Sequence, residues 1–246
     1  MGLANNSVNI FYKTNTEKPM TQPKKLRTIR SFVRRQGRLT PGQQRAIDQL
    51  WPKFAIDDED TIIDLDSVFQ RKAPKIIEIG FGNGATLAEM AKNQPDHDFL
   101  GIEVHRPGVG QLLNLIDQYK LTNLRVACTD AVELLNKRIK DNSLDRLQLY
   151  FPDPWHKKRH HKRRIIQPEF VALLSRKIKP GGHLHMATDW QHYAEQMLTD
   201  VSENLDFLNC SDKHYIPRPD YRPLTKFEQR GHKLGHGVWD LLYKRQ

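Results

Sequence analysis

Short apolar runs alternate with amphipathic segments along most of the chain after residue 72. Strand-like runs lie at 75–79, 98–104, 124–128, 144–151 and 183–187, with a last one within 237–244. The segments between them carry apolar residues at the spacing of one helix face. This alternation predicts an α/β domain with a doubly wound, mostly parallel sheet that binds its ligands at the carboxyl ends of the strands.

Two of the predicted helices have clear start signals. Thr40 is placed as an N-cap, Pro41 as the first helical residue, and Gln43 as the residue that closes a capping box. Pro168 begins a second helix, whose apolar face is predicted to reach Ile178. The Pro-Gly-Gly sequence that follows is predicted to end it.

Three regions follow one another along the sequence. Residues 1–25 are polar and without period, which is typical of a mobile tail. Residues 26–60 hold a basic arm, in which Phe32 and Val33 interrupt the arginines, and then a leading helix. The arm could bind RNA or could be a solvated segment, and the total charge favours RNA. Residues 61–246 form the main domain.

Composition narrows the class of protein. The 246 residues carry a formal net charge of +10, which favours a polyanionic partner, most simply a nucleic acid. Cys128 and Cys210 are the two cysteines, and their wide separation favours a reducing cytoplasm over a structural zinc site. No run has the length of a membrane span and no signal-peptide pattern opens the chain, so we predict a cytoplasmic protein without a membrane partner.

A glycine-rich turn follows the first strand-like run. Gly80, Gly82 and Gly84 alternate with single residues before a helical pattern begins at Ala85. A strand, a tight glycine turn and a helix form a typical cradle for a nucleotide-like ligand, because glycine lets the backbone turn and the ligand approach. The spacing is GxGxG and not the GxGxxG of dinucleotide sites.

Carboxylates end five of the predicted strands. They are Glu78, Glu103, Asp130, Asp153 and Asp189. A single acid in this place is often a helix cap, but five in register would meet at one edge of the sheet. Glu103 lies about twenty residues beyond the glycine turn, where an acid holds ribose hydroxyls of a dinucleotide or of S-adenosylmethionine. The ring of acids suits a sulfonium cation and would repel a diphosphate, which favours S-adenosylmethionine.

A dense basic run follows the fourth predicted strand. Residues 157–164 contain six Lys or Arg together with His160 and His161. Such a run predicts phosphate contacts, because each neutralised phosphate releases counterions. The histidines lie among cations that would repel a divalent ion, so no metal site is predicted.

Several blocks of the sequence together resemble the bacterial tRNA (guanine-N7)-methyltransferase family. They are Glu78-Ile-Gly-Phe-Gly-Asn-Gly84, Gly101-Ile-Glu-Val104, the Phe-Pro-Asp-Pro-Trp-His-Lys block with its basic run at 151–164, Ala187-Thr-Asp-Trp190, Thr225-Lys-Phe-Glu228 and the arginine-rich arm at 30–38. The likeness runs from about residue 27 to the end. It implies a class I, Rossmann-like methyltransferase domain at 61–246 that converts guanine at tRNA position 46 to 7-methylguanosine.

The resemblance also implies roles for individual residues. S-adenosylmethionine would be bound by the glycine turn and by Glu78, Glu103, Asp130 and Asp153, with Asp153 as the catalytic residue. Substrate contacts would fall on Lys157, Asp189, Thr225, Lys226, Phe227 and Glu228. RNA contacts would fall on Arg159, His160, His161, Lys162, Arg163 and Arg164. The partner would be tRNA, and no obligatory protein partner is evident.

The chemistry fits these residue types. Guanine N7 has an in-plane lone pair and no proton to lose, so transfer needs alignment and charge stabilisation and no strong base. Two of these features also have a second interpretation. Trp155 could stack on a base or fill a gap, and Thr225 with Glu228 has the spacing of a capping box.

Three other functions compete with this one. A nicotinamide-dependent dehydrogenase would explain the glycine turn and Glu103, but neither the GxGxG spacing nor the additional acids. A non-catalytic RNA-binding protein would have no reason to keep acids at all the strand ends. A methyltransferase could also act on ribosomal RNA or on a protein glutamine; the basic run favours RNA, and tRNA is chosen by the resemblance alone.

Overall fold

The structure is a computed structural model that describes residues 1, 31–32, 37–57, 61–225, 228 and 237–246. The predicted mobile tail at 1–25, apart from Met1, lies outside the described residues. The same holds for most of the basic arm and for two proposed substrate contacts, Lys226 and Phe227.

The predicted alternation of strands and helices is confirmed. The strands are β1 (Lys75–Ile79), β2 (Asp98–Ile102), β3 (Leu124–Ala127), β4 (Leu144–Tyr150), β5 (Ile178–Thr188), β6 (Phe207–Asn209) and β7 (Trp239–Arg245). The helices are α1 (Pro41–Phe54), α2 (Leu65–Phe69), α3 (Ala85–Asn93), α4 (Arg106–Tyr119), α5 (Ala131–Arg138), α6 (Pro168–Lys177) and α7 (Gln191–Ser202). A 3-10 helix spans Lys158–Arg163.

Across the described residues these strands form one sheet in the order β3-β2-β1-β4-β5-β7-β6. Strands β1 to β5 pair in parallel, whereas β7 runs antiparallel to both β5 and β6. The order reverses between β1 and β4, and this reversal opens a crevice at the carboxyl ends of the central strands.

The core lies on both faces of the sheet. All five residues of β1 are buried, and three of them are isoleucines, as expected of a strand that is covered on both faces. Ile76 packs with α1, α3 and α4 on one face, while Ile77 and Ile79 pack with α5, α6 and α7 on the other. Burial of each such side chain stabilises the fold by about 1.5–3 kcal/mol.

The start of α1 has the predicted capping box. Thr40 Oγ1 accepts a hydrogen bond from Gln43 N at 3.2 Å, and Gln43 Oε1 accepts one from Thr40 N at 2.9 Å. This helix packs against α4, where Gly110 lets the two backbones approach: a Cβ at Gly110 would lie 2.9 Å from Gln43 O. The leading helix is therefore part of the main body.

The prediction that the helix from Pro168 reaches Ile178 is wrong. Helix α6 ends at Lys177, and Ile178 has extended backbone and pairs with Leu144 in the sheet. Gly181, with φ of 84°, lies within β5 and does not end the helix. The helix stops because the next residue forms a strand pair, which the local sequence did not reveal. The three-residue β6 and the five-residue α2 were also not predicted.

Candidate functional site

A cavity of about 1140 Å³ opens at the carboxyl ends of the central strands. Five predicted site residues line it together: Gly80, Glu103, Asp130, Asp153 and Asp189. Ser31 and Phe32 of the basic arm also border it. The convergence of strand-end acids, inferred from topology, is thus present for four of the five acids. Of the other predicted site residues, none that the structure describes lines this cavity.

The glycine turn is packed on one side and open on the other. Gly80, Gly82 and Gly84 have φ of 74°, 61° and 75°, a region that strains other residues. A Cβ at Gly80 or Gly82 would meet nothing within 4 Å, whereas one at Gly84 would lie 2.7 Å from Leu112. Gly108 of α4 is closer still, because its Cβ would lie 1.9 Å from Gly82 O. The first two glycines leave room for a ligand, and Gly84 and Gly108 allow the turn and α4 to pack closely against each other.

Glu103 holds the glycine turn to the start of α4. One carboxylate oxygen accepts from Gly82 N at 3.0 Å, and the other accepts from Val104 N at 2.7 Å and His105 N at 3.0 Å. An ionised carboxylate offers about four acceptor positions, so one remains for a ligand hydroxyl. Because three backbone bonds fix its orientation, Glu103 is preorganised toward the cavity.

Glu78 lies beneath the turn in the protein interior. Burial raises the pKa of Glu78 to about 8, although the charges of Arg146 and Arg222 act in the opposite direction. Its Oε2 is buried and has no hydrogen-bond partner among the described residues. Glu78 does not line the cavity, so its predicted contact with a cofactor is not part of this geometry.

Asp153 lies on a loop with constrained backbone. It is exposed, flanked by Pro152 and Pro154, and its carboxylate has no hydrogen-bond partner among the residues that the structure describes. Phe151 and Trp155 bracket it with φ of 51° and 47°, left-handed values that cost on the order of 1–3 kcal/mol each outside glycine. Strain of this kind persists where surrounding contacts impose it.

Trp155 packs within the protein. Its indole Nε1 donates to Ser31 O at 3.2 Å, and the Arg163 guanidinium lies 4.0 Å from the ring centroid. His160 meets the same ring edge-on at 6.0 Å. These contacts connect the arm with the basic run. Trp155 also lines the cavity, so both interpretations of this residue, stacking on a base and filling a gap, stay open.

The basic run divides into exposed and anchored side chains. Lys157, Lys158, Arg159 and Lys162 are exposed, which suits phosphate contacts. The two histidines of the run add little charge near neutral pH, because partial desolvation and then neighbouring cations lower the pKa of His160 and of His161. The expectation that Arg164 contacts RNA conflicts with the structure, because this side chain is 1% exposed.

Thr225 and Glu228 form the capping-box bonds, as one interpretation of their spacing required. Glu228 Oε2 accepts from Thr225 N at 2.8 Å, and Thr225 Oγ1 accepts from Glu228 N at 3.0 Å. Glu228 is 2% exposed, and its other oxygen lies 2.8 Å from Arg222 Nη2. Both carboxylate oxygens are thus engaged within the protein, which conflicts with direct substrate contact by Glu228.

A buried polar chain that the sequence analysis missed continues from Arg222. The guanidinium donates to both oxygens of Asp240, and Asp240 Oδ1 lies 2.9 Å from His185 Nε2. His185 Nδ1 lies 2.8 Å from the hydroxyl of Tyr150, which lines the cavity, and 3.0 Å from that of Tyr221. The signal in the sequence was an acid, Asp240, next to the apolar residues Leu241, Leu242 and Tyr243 of β7.

The protonation states of His185 and Asp240 follow from their surroundings. Burial lowers the pKa of His185, so the ring is neutral. Burial alone would raise the pKa of Asp240, but hydrogen bonds from His185 and Arg222 keep it below its ordinary value. Asp240 therefore accepts from His185 Nε2, and the single lone pair of His185 Nδ1 accepts from a tyrosine hydroxyl, of which that of Tyr150 is the nearer.

The described part of the chain contains neither a metal-binding cluster nor a membrane-spanning helix. It contains no group of three or more His, Cys, Asp or Glu placed to hold a metal ion. Among those same residues, no helix combines the length and apolar character needed to cross a membrane.

Solved methyltransferase structures share this fold. The 16S rRNA methyltransferase KamB superposes with a TM-score of 0.57 at 12% identity, covering 75% of this chain and 94% of that one. The aminoglycoside resistance methyltransferase NpmB1 gives 0.53 at 15% identity, with 74% and 92% covered. At these identities the likeness concerns the fold alone.

Sequence relatives are much closer. Residues 72–241 match a family model described as "Putative methyltransferase". The tRNA (guanine-N(7)-)-methyltransferase of Alcanivorax borkumensis is 56% identical over 233 residues, which cover 94% of this chain and 98% of that protein. The protein of the same name from Aeromonas hydrophila is 58% identical over 221 residues, covering 89% and 93%. The chain therefore belongs to the tRNA (guanine-N(7)-)-methyltransferase family.

Proposed function

We propose that this chain transfers the methyl group of S-adenosylmethionine to N7 of guanine 46 in the variable region of tRNA. The observation that carries the proposal is the cavity at the strand ends, where an open glycine turn and four carboxylates adjoin an exposed basic strip. The names of the family relatives support guanine N7 in tRNA as the target. Position 46 rests on the resemblance of the sequence blocks.

The cavity residues fit S-adenosylmethionine. Gly80 and Gly82 keep side chains out of the space beside the turn, and Glu103 has one acceptor position left for a ribose hydroxyl. Asp130 uses Oδ1 to cap α5 through Val132 N at 3.0 Å, so its second oxygen is available to a donor on the adenosine. When bound, the cofactor supplies an electrophilic methyl group on a sulfonium centre.

Asp153 and Asp189 are proposed to act on the guanine. Both line the cavity, and guanine offers its N1–H and exocyclic amine as donors. Positive charge develops on the purine as N7 becomes methylated, and the exposed, constrained carboxylate of Asp153 stabilises that charge. Since N7 has no proton to lose, the residues need only align the reacting atoms and hold the charge.

The exposed cations are proposed to hold the tRNA. Lys157, Lys158, Arg159 and Lys162 present charge beside the Asp153 loop, where phosphates of the variable region would lie. Thr225, partly exposed at the start of its segment, is proposed as a further substrate contact. We propose that the chain acts in the cytoplasm on tRNA without an obligatory protein partner.

Methyl transfer to total RNA tests this function. The purified chain alone, with tritium-labelled S-adenosylmethionine and unmodified total RNA, should place the label in 7-methylguanosine of the tRNA fraction. A tRNA transcript with adenine at position 46 should then accept no label. Label in ribosomal RNA, in another nucleoside or in the adenine-46 transcript would contradict the proposal.

A further inference from the structure

Arg164 differs from the rest of the basic run in its surroundings. It is among the largest fully buried side chains of the described part of the protein, with 1% exposure. Its neighbours Lys162 and Arg159 are exposed. A cation that cannot reach solvent cannot reach a phosphate without rearrangement of the protein around it.

The Arg164 guanidinium joins three separate pieces of chain. Nε donates to Pro154 O at 2.8 Å, in the loop that carries the proposed catalytic acid. Nη1 donates to Gln196 Oε1 at 2.6 Å and lies 3.2 Å from His192 Nδ1, both in α7. Nη2 lies 3.2 Å from His161 Nε2, in the 3-10 helix. None of these four partners is a carboxylate. The charge of Asp200 acts on the guanidinium from farther away, and Asp200 itself accepts a hydrogen bond from Gln196 Nε2 at 2.9 Å.

The packing around the guanidinium completes the junction. The guanidinium carbon lies 4.6 Å from the ring centroid of buried Tyr193, whose hydroxyl accepts from Ile166 N at 3.3 Å. Helix α7 begins at Gln191, two residues after Asp189. One side chain therefore connects the backbone beside Asp153 with the first turns of the helix that follows Asp189.

We infer that Arg164 is a positioning residue that sets the placement of the Asp153 loop relative to Asp189, and is not an RNA contact. The inference rests on the proposed function for what those two acids do. Only a planar fork with donors on three nitrogens can reach Pro154 O, α7 and the 3-10 helix together. A lysine would keep the charge and lose the fork.

Kinetics and salt dependence separate the two roles. For Arg164→Gln, single-turnover methylation at saturating tRNA and cofactor should fall by about 10²-fold, because small misplacements of reacting groups are costly. The slope of log K against log salt for tRNA binding should stay at the wild-type value. Arg164→Lys should not restore the rate. In Arg159→Gln, by contrast, the slope should lessen by roughly 0.7–0.9.

Limited trypsin digestion tests the anchoring without using activity. At a temperature where the wild type and both Arg164 variants remain folded, cleavage within residues 157–163 should be faster in the variants. If Arg164→Gln does not fold, Arg164→Lys and Gln196→Met, which removes one acceptor, provide the same comparison. Gln196→Met should give a smaller loss of rate in the same direction.

The contrary outcomes are distinct. A near-normal single-turnover rate with a shallower salt slope, or full rescue by Arg164→Lys, would make Arg164 an RNA contact. A lowered melting temperature with unchanged rate and unchanged cleavage would leave it a structural residue only. A wild-type chain that methylates no tRNA would overturn the proposed function, and unchanged cleavage would still overturn the anchoring by itself.

Discussion

Arg222 donates two parallel hydrogen bonds to Asp240, from Nε to Oδ1 at 2.8 Å and from Nη2 to Oδ2 at 2.7 Å, and both side chains are buried. The same Nη2 lies 2.8 Å from Glu228 Oε1. One guanidinium thus joins Glu228 to the antiparallel strand β7, and through Asp240 and His185 to Tyr150 at the cavity. A buried network of hydrogen bonds therefore connects Glu228, the capping partner of Thr225, with Tyr150 in the lining of the cavity.

Removal of this guanidinium should be strongly destabilising. Arg222→Met leaves the carboxylates of Asp240 and Glu228 buried without their cation, which costs about 3–5 kcal/mol of unfolding free energy. Urea unfolding at pH 7 measures the loss. The matched control Arg176→Met, at an exposed position on α6, should change stability by less than about 0.5 kcal/mol. A loss below about 1 kcal/mol for Arg222→Met would show that water or neighbouring groups stabilise the two carboxylates in place of the guanidinium.

Glu78 should make the fold less stable as the pH rises. Its pKa is raised from 4.5 to about 8 by burial, so the folded state keeps a proton that the unfolded state loses. The stability that this proton supplies is complete below pH 4.5 and is lost as the pH approaches 8. Glu78→Gln cannot lose a proton and should gain on the wild type across this range, by on the order of a few kcal/mol.

Unfolding free energies of wild type and Glu78→Gln at several pH values measure this effect. The exposed control Glu89→Gln should keep the wild-type pH dependence. Parallel curves for wild type and Glu78→Gln would mean that Glu78 stays ionised in the fold, held by Arg146 and Arg222.

Loss of the Glu103 carboxylate should weaken cofactor binding. Glu103→Ala removes a charge-assisted acceptor for ribose hydroxyls, worth about 1.5–3 kcal/mol, or roughly ten- to a hundredfold in affinity. Because three backbone N–H groups also lose their acceptor, some stability is lost as well. Calorimetry with S-adenosylmethionine, on protein shown to be folded, measures the affinity. An unchanged dissociation constant would refute the assignment.

The exposed part of the basic run should account for salt-dependent tRNA binding. Replacement of Lys158, Arg159 and Lys162 by Gln should lessen the slope of log K against log salt by roughly 0.7–0.9 for each phosphate that is no longer neutralised. Affinity for S-adenosylmethionine should hardly change. Lys120→Gln, which removes an exposed cation at the far end of α4, is the control and should leave the slope unaltered. An unaltered slope in the triple variant would move RNA binding to the arm.

The sequence predicted what depends on neighbouring residues and on topology. The capping boxes at Thr40 and Thr225 are local, and the convergence of Glu103, Asp130, Asp153 and Asp189 follows from parallel strands. In sequence, Arg164 looks the same as Arg159, because burial is a property of the folded surroundings and not of the residue type.

Contacts between residues that are distant in sequence could not be predicted for the same reason. Asp240 meets an arginine 18 residues away and a histidine 55 residues away. Ile178 continues the apolar spacing of α6, and only its pairing with Leu144 makes it a strand residue. The surroundings of Glu78 likewise include residues far away in sequence, among them Arg146 and Arg222.

Removal of the negative charge of Asp153 tests the proposed methyl transfer most directly. Single-turnover transfer to a tRNA with guanine at position 46 is compared between wild type and Asp153→Asn, which keeps size and removes the negative charge. We expect a fall in rate of about 10²–10³-fold, or roughly 2.7–4 kcal/mol, with tRNA affinity retained through the phosphate contacts. A near-normal single-turnover rate in Asp153→Asn would contradict this expectation and would leave Asp153 with a role only in the shape of the loop.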